Sequence, residues 1–431
     1  MDRLAPARLA AVLHADDPVL LGSSRGAAQA AVEVLARWSY ADKASPHTKV
    51  SKHAVLVSGA PGAREAALRA RPLELRLRGA EPVQLGVVHV HKWLGLPWRA
   101  DLDLGAMCRA RLAAATAQVA SLAGQVASGD VPLAAAASIF EMKIEGALRF
   151  GRWLWIVADG CSEAADEAYR SWARAFLGAP PWRSSTVAEA ELGWVLSGAG
   201  RGVLDVARRR AGLWALPADD LYRRVFQTAH AVPGLSWAQQ SAKLLADWGV
   251  ADWPLWSQAH PGRQREAYVT AVQRQLEHQC AGAWRLRARA HDRPVPLLSL
   301  CEGPVRDLAS ALRGEYSWEV LQGMRSLSRW RAGIFILGHA GGSRSWAAVQ
   351  SCVLCGARHR SLTFHACSSC PATAEGRAAF WAARAQPQPG SQEACARALL
   401  SARPGEAGYS EAVSLAASVD RLQRRFWIGR G

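Results

Sequence analysis

The spacing of hydrophobic and polar positions changes near residue 100 of this chain. Before that point, short apolar runs that end at a glycine predict β-strands. The predicted strands are Lys52–Gly59, the alternating Leu73–Gly79, and Val87–Gly95. Between residues 26 and 38 the apolar positions instead follow a helical period, with Val32, Leu35 and Trp38 on one face.

After residue 100, apolar residues recur at helical spacing and β-rich runs disappear. The predicted helices are Leu104–Ser128, Leu133–Val157, Ser162–Leu177, Val187–Leu196, Val203–Leu213, Leu221–Ala229, Trp237–Trp248, Gln264–Ala288, Val305–Leu312 and Trp318–Leu327. Proline and glycine in Gln386–Gly390 indicate a linker, after which two short helices close the chain. The pattern therefore predicts a mostly helical α+β protein.

Charge adds a partner class to this picture. The 431 residues include 52 basic and 36 acidic side chains, a net charge of +16, which favours a nucleic-acid partner. Few of the basic residues are lysine, so a GC-rich coding bias is the competing explanation. No apolar run has the length of a membrane span, and the N-terminus does not read as a secretory signal, so we expect a nuclear or cytoplasmic protein.

Four of the nine cysteines lie within 19 residues and suggest a metal site in a reducing compartment. One set of ligands is Cys352, Cys355, His365 and Cys370; a second replaces His365 with Cys367. Either set offers four donors for tetrahedral Zn²⁺. The alternative is a group of buried free thiols.

The tetrapeptide His14-Ala15-Asp16-Asp17 lies between two short apolar runs. Adjacent carboxylates are costly in a core but acceptable at the tip of a hairpin, where both can reach a divalent ion. The sequence therefore predicts a hairpin that presents Asp16 and Asp17, with an ordinary solvated turn as the alternative.

The order of these features resembles that of non-LTR retrotransposon reverse transcriptases. In that family an Ala-Asp-Asp hairpin is followed by a helix with a Trp near its end, here Trp38, and by a lysine-containing strand, here with Lys52. A strand ending in Leu-Gly comes next, here His91–Gly95. The resemblance implies that Asp16 and Asp17 hold Mg²⁺, that Lys52 lies beside the nucleotide, and that His91 and Lys92 belong to the primer grip.

The resemblance continues through the helical region. Residues 167–180 and 186–193 are similar to the family's thumb, which implies that Arg170 and Arg174 follow the backbone of an RNA or DNA template–primer. The basic run Arg208-Arg209-Arg210 is expected to do the same. A solvated basic face is the simpler interpretation of each arginine.

The family also carries a zinc knuckle after the thumb. That knuckle follows an Arg-x-Arg-x-Gly turn, here Arg329–Gly333, and a Trp, here Trp346. Its pattern favours Cys352, Cys355, His365 and Cys370 as the ligands, with Cys367 as the substitute and His359 as a weaker candidate.

The chain departs from the family at its start. Family polymerases have fingers and a further palm aspartate upstream of the Asp-Asp pair, whereas thirteen residues precede His14 here. We therefore expect that this polypeptide alone does not extend a primer, that an N-terminal polymerase segment is a candidate partner, and that nucleic-acid binding is retained. Robust extension abolished by Asp16→Ala would contradict this expectation.

The resulting plan has four parts: a partial palm (1–100), a helical thumb and linker region (101–345), a zinc knuckle (346–385), and a linker with a helical tail (386–431). The expected function is that of a fragment of an RNA-directed DNA polymerase, with Zn²⁺ in the knuckle and Mg²⁺ in a completed polymerase site. One alternative is a non-enzymatic helical nucleic-acid-binding protein with a zinc knuckle. Another is a helical scaffold whose charge reflects composition alone.

Overall fold

The computed structural model describes residues 11–14, 17–20, 22–41, 54–57, 62–77, 81–93, 96–179, 185–232, 236–289, 316–331, 350–359 and 362–428. The chain divides into two compact units, residues 1–110 and 111–431. Strands are short and concentrated in the first unit, while helices dominate the second. The prediction of a mostly helical α+β protein is confirmed.

The described part of the first unit combines two-stranded antiparallel sheets with helices. Its elements are β1 (Ala11–His14), β2 (Asp17–Leu20), α1 (Arg25–Ala41), α2 (Ala63–Ala70), β3 (Leu73–Leu75), β4 (Val83–Leu85), β5 (Val90–Trp93) and β6 (Leu96–Arg99). The pairs are β1 with β2, β3 with β4, and β5 with β6. A long helix, α3 (Leu104–Ser128), begins in this unit and continues into the second.

Apolar side chains of α1 and of the β3–β4 sheet form the core of the first unit. The buried members are Val32, Leu73, Leu75, Val83 and Leu85, and Leu20 of β2 packs against them. The alternation of Leu73–Leu75 therefore buries one face of the sheet, as its sequence predicts. The predicted helix is also confirmed as α1, although Trp38 is 48% exposed rather than part of the core.

The predicted strand at Lys52–Gly59 is not formed over the part that the structure describes, residues 54–57. Only Val55 makes a β-bridge there, parallel to Val87. Its amide donates to the carbonyl of Gly86 at 2.9 Å, and its carbonyl accepts from the amide of Val88 at 3.0 Å. The apolar residues of this segment favour a β conformation, but the described part has no partner strand along its length and therefore does not form a strand.

The described helices of the second unit continue from α3. They are α4 (Leu133–Ile139), α5 (Gly146–Trp155), α6 (Cys161–Leu177), α7 (Thr186–Glu191), α8 (Gly198–Trp214), α9 (Leu221–Ala231), α10 (Trp237–Asp247), α11 (Trp253–Ala259), α12 (Arg265–Arg289) and α13 (Trp318–Arg331). The predicted helix at Val305–Leu312 lies outside the described residues. The short helix α11 was not anticipated from the sequence, where a proline follows its first residue.

The C-terminal elements of this unit follow after a gap in the described residues. They are β7 (Gln350–Ser351), β8 (Arg358–His359), α14 (Leu362–Ser368), a 3₁₀ turn at Pro371–Thr373, α15 (Ala374–Ala383), α16 (Gln392–Ser401) and α17 (Tyr409–Ile428). The strands β7 and β8 form an antiparallel hairpin.

Aromatic rings build the centre of the second unit. Phe140 is fully buried, and its ring centroid lies 4.5 Å from that of Trp194 and 6.0 Å from those of Trp172 and Phe176. Edge-to-face and tilted arrangements of this kind stabilise a core beyond the area that they bury.

The predicted single helix Leu133–Val157 is divided in three. A π-helical turn, Phe140–Glu145, joins α4 to α5. Within α5, Phe150 has an extended ψ of 106° and Gly151 has a φ of 82°, so the helical path breaks there. Gly151 permits the break because a residue without Cβ reaches positive φ at little cost.

The C-terminal tail is part of the core of the second unit and not an appendage. The predicted pair of short helices is present, but α17 extends over 20 residues and packs against α13 and α15. Arg331 of α13 is buried and binds Glu191 of α7 at 2.7 Å, and it also donates to the carbonyls of Leu400 and Ala402. The predicted linker is likewise held, since Gln388 donates to the carbonyl of Ser368 at 2.8 Å.

Among the described residues, no helix is long and apolar enough to cross a bilayer. This agrees with the absence of long apolar runs in the sequence.

Candidate metal centre and basic surface

Four side chains from the β7–β8 hairpin, from α14 and from the residue before the 3₁₀ turn converge in the second unit. They are Cys352, Cys355, His365 and Cys370, and their candidate ligand atoms all lie within 4.8 Å of one another. Cys352, His365 and Cys370 are buried, while Cys355 is half-buried. This is one of the two ligand sets that the cysteine spacing allows, and it is the one that the resemblance favours.

The spacing of these atoms fits a tetrahedral zinc ion. The Sγ atoms of Cys352 and Cys370 are 4.0 Å apart, and Cys355 Sγ lies 3.2 Å from His365 Nε2. Zinc–sulfur bonds of about 2.3 Å in a tetrahedron place sulfur atoms about 3.8 Å apart. Four protein donors also close the coordination shell, which is the arrangement of structural rather than catalytic zinc sites.

The histidine is oriented for this role by its neighbour on the same turn. His365 Nδ1 lies 3.0 Å from Ser369 Oγ, which leaves Nε2 as the nitrogen that faces Cys355. Partners of this kind fix the ring of a metal-binding histidine. Burial, and then the charges of His359 and Arg377, lower the pKa of His365, so the ring is held neutral, as a ligand requires.

The backbone on both sides of the cluster is also fixed. After Cys355 the chain turns through Gly356 at a φ of 75°, and the Gly356 amide donates to the Cys352 carbonyl at 2.7 Å. On the other side, Arg377 of α15 donates to the carbonyl of Cys370 at 2.6 Å. The positions of the first two cysteines therefore depend on a local turn, and that of Cys370 depends on a buried arginine.

The two alternative ligands are not members of the four-residue cluster. Cys367 is fully buried outside the four-atom cluster, and burial raises the pKa of its thiol strongly. The ring of His359 stacks on that of His365, with centroids 3.7 Å apart. Within the described residues, the structure thus brings together the set with His365 and leaves Cys367 in the core.

The acidic pair lies at the connection between β1 and β2. These strands are antiparallel, and His14 is paired with Asp17. Only Ala15 and Asp16 stand between the two strands in the sequence, and both lie outside the described residues. The register agrees with the hairpin that the sequence predicts for these residues.

The other candidate residues of the first unit are partly described. Lys52 lies outside the described residues. His91 and Lys92 belong to β5, opposite Trp98 and Pro97 of β6, with His91 half-buried and Lys92 exposed. The predicted strand at this position is confirmed as a short hairpin strand.

Arg170 and Arg174 lie one turn apart on α6 and share one carboxylate. Glu167 binds Arg170 at 3.0 Å and Arg174 at 3.3 Å. Part of their positive charge is therefore compensated within the helix. They remain at a partly exposed surface, where a phosphate could compete for them.

The basic run of α8 divides between surface and core. Arg208 is partly exposed and binds Asp205 at 2.9 Å, and the guanidinium of Arg209 lies 4.9 Å from the ring centroid of Trp153. Arg210 is fully buried and binds Asp252. The structure corrects the prediction for Arg210, which is enclosed by α10 and α11 and cannot reach a nucleic acid.

A buried ionic network lies beside this run and was not anticipated from the sequence. Arg152 binds Glu145 and Asp205, each at 2.7 Å, and the hydroxyl of Tyr169 donates to Glu145. Burial opposes ionisation of Glu145, but Arg152 and Arg201 outweigh it and hold the pKa of Glu145 below its usual range. Tyr169 and Asp205 come from other helices than Glu145 and Arg152, so helical periodicity carries no signal for the network.

Comparison of the chain with protein-family models, with curated proteins and with solved structures finds no match in any of the three.

Proposed function

We propose that this chain binds nucleic acid, that a structural Zn²⁺ ion holds its C-terminal knuckle, and that the chain corresponds to the palm, thumb and knuckle of a non-LTR reverse transcriptase. The convergence of Cys352, Cys355, His365 and Cys370 within 4.8 Å carries this proposal. Compact zinc modules of this size are common in proteins that bind RNA and DNA.

The charge of the chain supports a polyanionic partner. A net charge of +16 attracts phosphate backbones at long range, and release of counterions makes such binding salt-dependent. Exposed or partly exposed basic side chains on α5, α6 and α8, among them Arg149, Arg170 and Arg208, offer contacts for phosphates.

The binding test uses the full chain and a fluorescently labelled RNA–DNA template–primer. We expect the dissociation constant to rise steeply between about 50 and 200 mM salt, with log K falling linearly against log salt concentration. Binding that is absent, or that does not change with salt, would contradict the proposal.

The metal test compares Cys370→Ala with Cys367→Ala. We expect one zinc per wild-type chain and one per Cys367→Ala chain, whereas Cys370→Ala should lose most of its zinc. Because both variants remove one buried thiol from neighbouring positions, the comparison separates ligation from packing. Equal zinc content in the two variants would overturn the assignment of ligands.

A second candidate function is polymerase chemistry at the acidic pair. The pairing of His14 with Asp17 across β1 and β2 favours it, because a hairpin places neighbouring carboxylates together for divalent ions. In that case Mg²⁺ would be held by Asp16 and Asp17, and Lys52 would lie near a nucleotide.

Binding of Mn²⁺, followed by electron paramagnetic resonance, tests this second candidate. We expect Asp16→Asn and Asp17→Asn each to remove a bound ion, while the matched variant Asp219→Asn, at an exposed turn in the second unit, retains it. Unchanged Mn²⁺ stoichiometry in both hairpin variants would refute polymerase chemistry and leave the nucleic-acid-binding proposal in place.

A further inference from the structure

Three arginines converge on one carboxylate between α5 and α8. Asp205 of α8 is 3.8 Å from Arg149, 2.7 Å from Arg152 and 2.9 Å from Arg208. The Asp205 side chain is 4% exposed, whereas those of Arg149 and Arg208 are 60% and 40% exposed. The carboxylate therefore lies beneath two guanidinium groups that reach the solvent.

One carboxylate cannot neutralise three guanidinium groups. Arg152 has a second partner in Glu145, but neither Arg149 nor Arg208 has another acidic partner among the ion pairs of the described residues. Burial and the positive charges of Arg149 and Arg152 lower the pKa of Arg208, despite the opposing effect of Asp205. The pair Arg149 and Arg208 thus forms a surface of excess positive charge that a phosphate would stabilise.

An exposed aromatic ring follows Arg149 in the chain. Phe150 is 52% exposed, although phenylalanine is among the residues most often buried in folded proteins. Its extended ψ and the positive φ of Gly151 interrupt α5 at this point. An exposed ring and an exposed arginine therefore follow one another in the chain where the helix is interrupted.

A second ring lies under a further arginine of the same helix pair. The guanidinium of Arg209 lies 4.9 Å from the ring centroid of Trp153, which is half-buried. Aromatic rings interleaved with arginines are the arrangement with which proteins bind single strands, because each base can stack while the phosphates meet positive charge. A duplex keeps its bases stacked inside and cannot use such rings.

We propose that α5 and α8 form a subsite for single-stranded nucleic acid, in which Arg149 and Arg208 bind a phosphate and Phe150 stacks on an adjacent unpaired base. This inference rests on the proposed function, since it assigns a place and a strand type to nucleic-acid binding. It pairs Arg149 with Arg208 on one phosphate, adds Phe150 to the residues that bind, and requires a single strand rather than any polyanion.

The test measures binding of short labelled single strands, in DNA and RNA forms, and of a duplex of equal length. Phe150→Ala should weaken single-strand binding about tenfold, as loss of one stacked base does, and leave duplex binding unchanged. Arg149→Gln and Arg208→Gln should each weaken binding and lower the salt slope by about 0.7.

Matched controls come from exposed positions on other helices. Leu255→Ala, on α11, removes an apolar side chain that is 65% exposed, and Arg397→Gln, on α16, removes an arginine that is 54% exposed. We expect both to bind like the wild type. Circular dichroism shows that each variant is folded before its affinity is measured.

An abasic single strand separates stacking from charge. We expect the wild-type chain to bind the abasic strand about tenfold more weakly than the normal strand. The Phe150→Ala variant should bind the abasic and the normal strand with equal affinity. The stacking role would be overturned if the wild type bound abasic and normal strands equally. It would also be overturned if Phe150→Ala lost as much affinity for the duplex as for the single strand.

The remaining outcomes distinguish the two proposals. If the wild type binds nucleic acid but Arg149→Gln, Arg208→Gln and Phe150→Ala bind equally well, the subsite is refuted and the proposed function stands. If the wild type binds neither single strand nor duplex, both are refuted. The DNA and RNA arms show which strand the subsite accepts.

Discussion

Replacing Arg210 with methionine distinguishes a structural arginine from one that binds nucleic acid. Arg210 is fully buried and donates to the carbonyl of Ala238 at 2.5 Å and to Ser241 Oγ at 2.7 Å, besides its ion pair with Asp252. Methionine fills much of the same volume but removes every donor. Asp252 then loses its buried cation, and the carbonyl of Ala238 loses a partner.

The expected destabilisation follows from those losses. Breaking one side of a buried ion pair costs about 3–5 kcal/mol. The Asp252 side chain is 18% exposed, so water can compensate part of its charge and the cost should be near the lower end, about 3 kcal/mol. Arg209→Met, one residue earlier on the exposed side of α8, removes only a contact with the Trp153 ring and should lower the free energy of unfolding by no more than about 1 kcal/mol.

Urea unfolding followed by tryptophan fluorescence measures the stability of each variant, and anisotropy measures its affinity for a single strand. We expect Arg210→Met to lose stability but to keep its affinity for the single strand under conditions where it is fully folded. Arg209→Met should keep nearly all of its stability and bind the single strand more weakly. If Arg210→Met were as stable as the wild type yet bound nucleic acid more weakly, the reasoning from burial would be refuted.

Three further predictions concern the knuckle and the buried networks. A strong chelator should remove zinc from the wild type and unfold the knuckle, measured as loss of α-helical circular dichroism, and a metal-free chain with unchanged stability would contradict a structural role. Arg331→Met should destabilise the second unit by about 3–5 kcal/mol in urea, because Glu191 would remain buried without its cation; a change below 1 kcal/mol would show that the tail is not anchored there. Because the folded pKa of Glu145 is lowered, its contribution to stability is present above its unfolded pKa and is lost as the pH falls through the folded value. The stability difference between the wild type and Glu145→Gln should therefore shrink in acid, and a difference independent of pH would exclude the network as its cause.

Hydrophobic periodicity predicted most of the helical framework. The predicted Leu104–Ser128 coincides with α3, and the predicted Trp237–Trp248 differs from α10 by one residue. Each of these segments buries one continuous apolar face, so the spacing of its apolar residues is enough to predict the helix. In the structure a cap marks the start of α10, where Ser236 Oγ accepts from the amide of Gln239.

Periodicity failed where contacts between distant segments decide the backbone. The predicted Leu133–Val157 has helical spacing throughout, yet a π-helical turn and the break at Phe150 and Gly151 divide it. The π-helical turn places Glu145 against Arg152 and Tyr169, a buried network whose members come from different helices. The spacing of residues within one helix does not indicate which residues of other helices will contact it.

The knuckle shows the same division between sequence and structure. The identity and the spacing of the cysteines and histidines predicted the type of donor and the number of ligands, because the candidate ligands lie close together in the chain. Spacing alone left His365 and Cys367 as alternatives, and the family resemblance favoured His365. The orientation of α14, whose successive residues point in different directions, places His365 in the cluster and Cys367 in the core.

The sequence by itself determined the helical character of this protein, its positive charge and the donor types of its candidate metal site, because each depends on residue identity and local spacing. Only the tertiary structure decided which arginines reach the surface. Arg208, Arg209 and Arg210 are equivalent in the sequence, yet α10 and α11 cover the last and leave the first two at the surface. A helix turns by about 100° per residue, so neighbours meet different surroundings, and the helices packed alongside determine what those surroundings are.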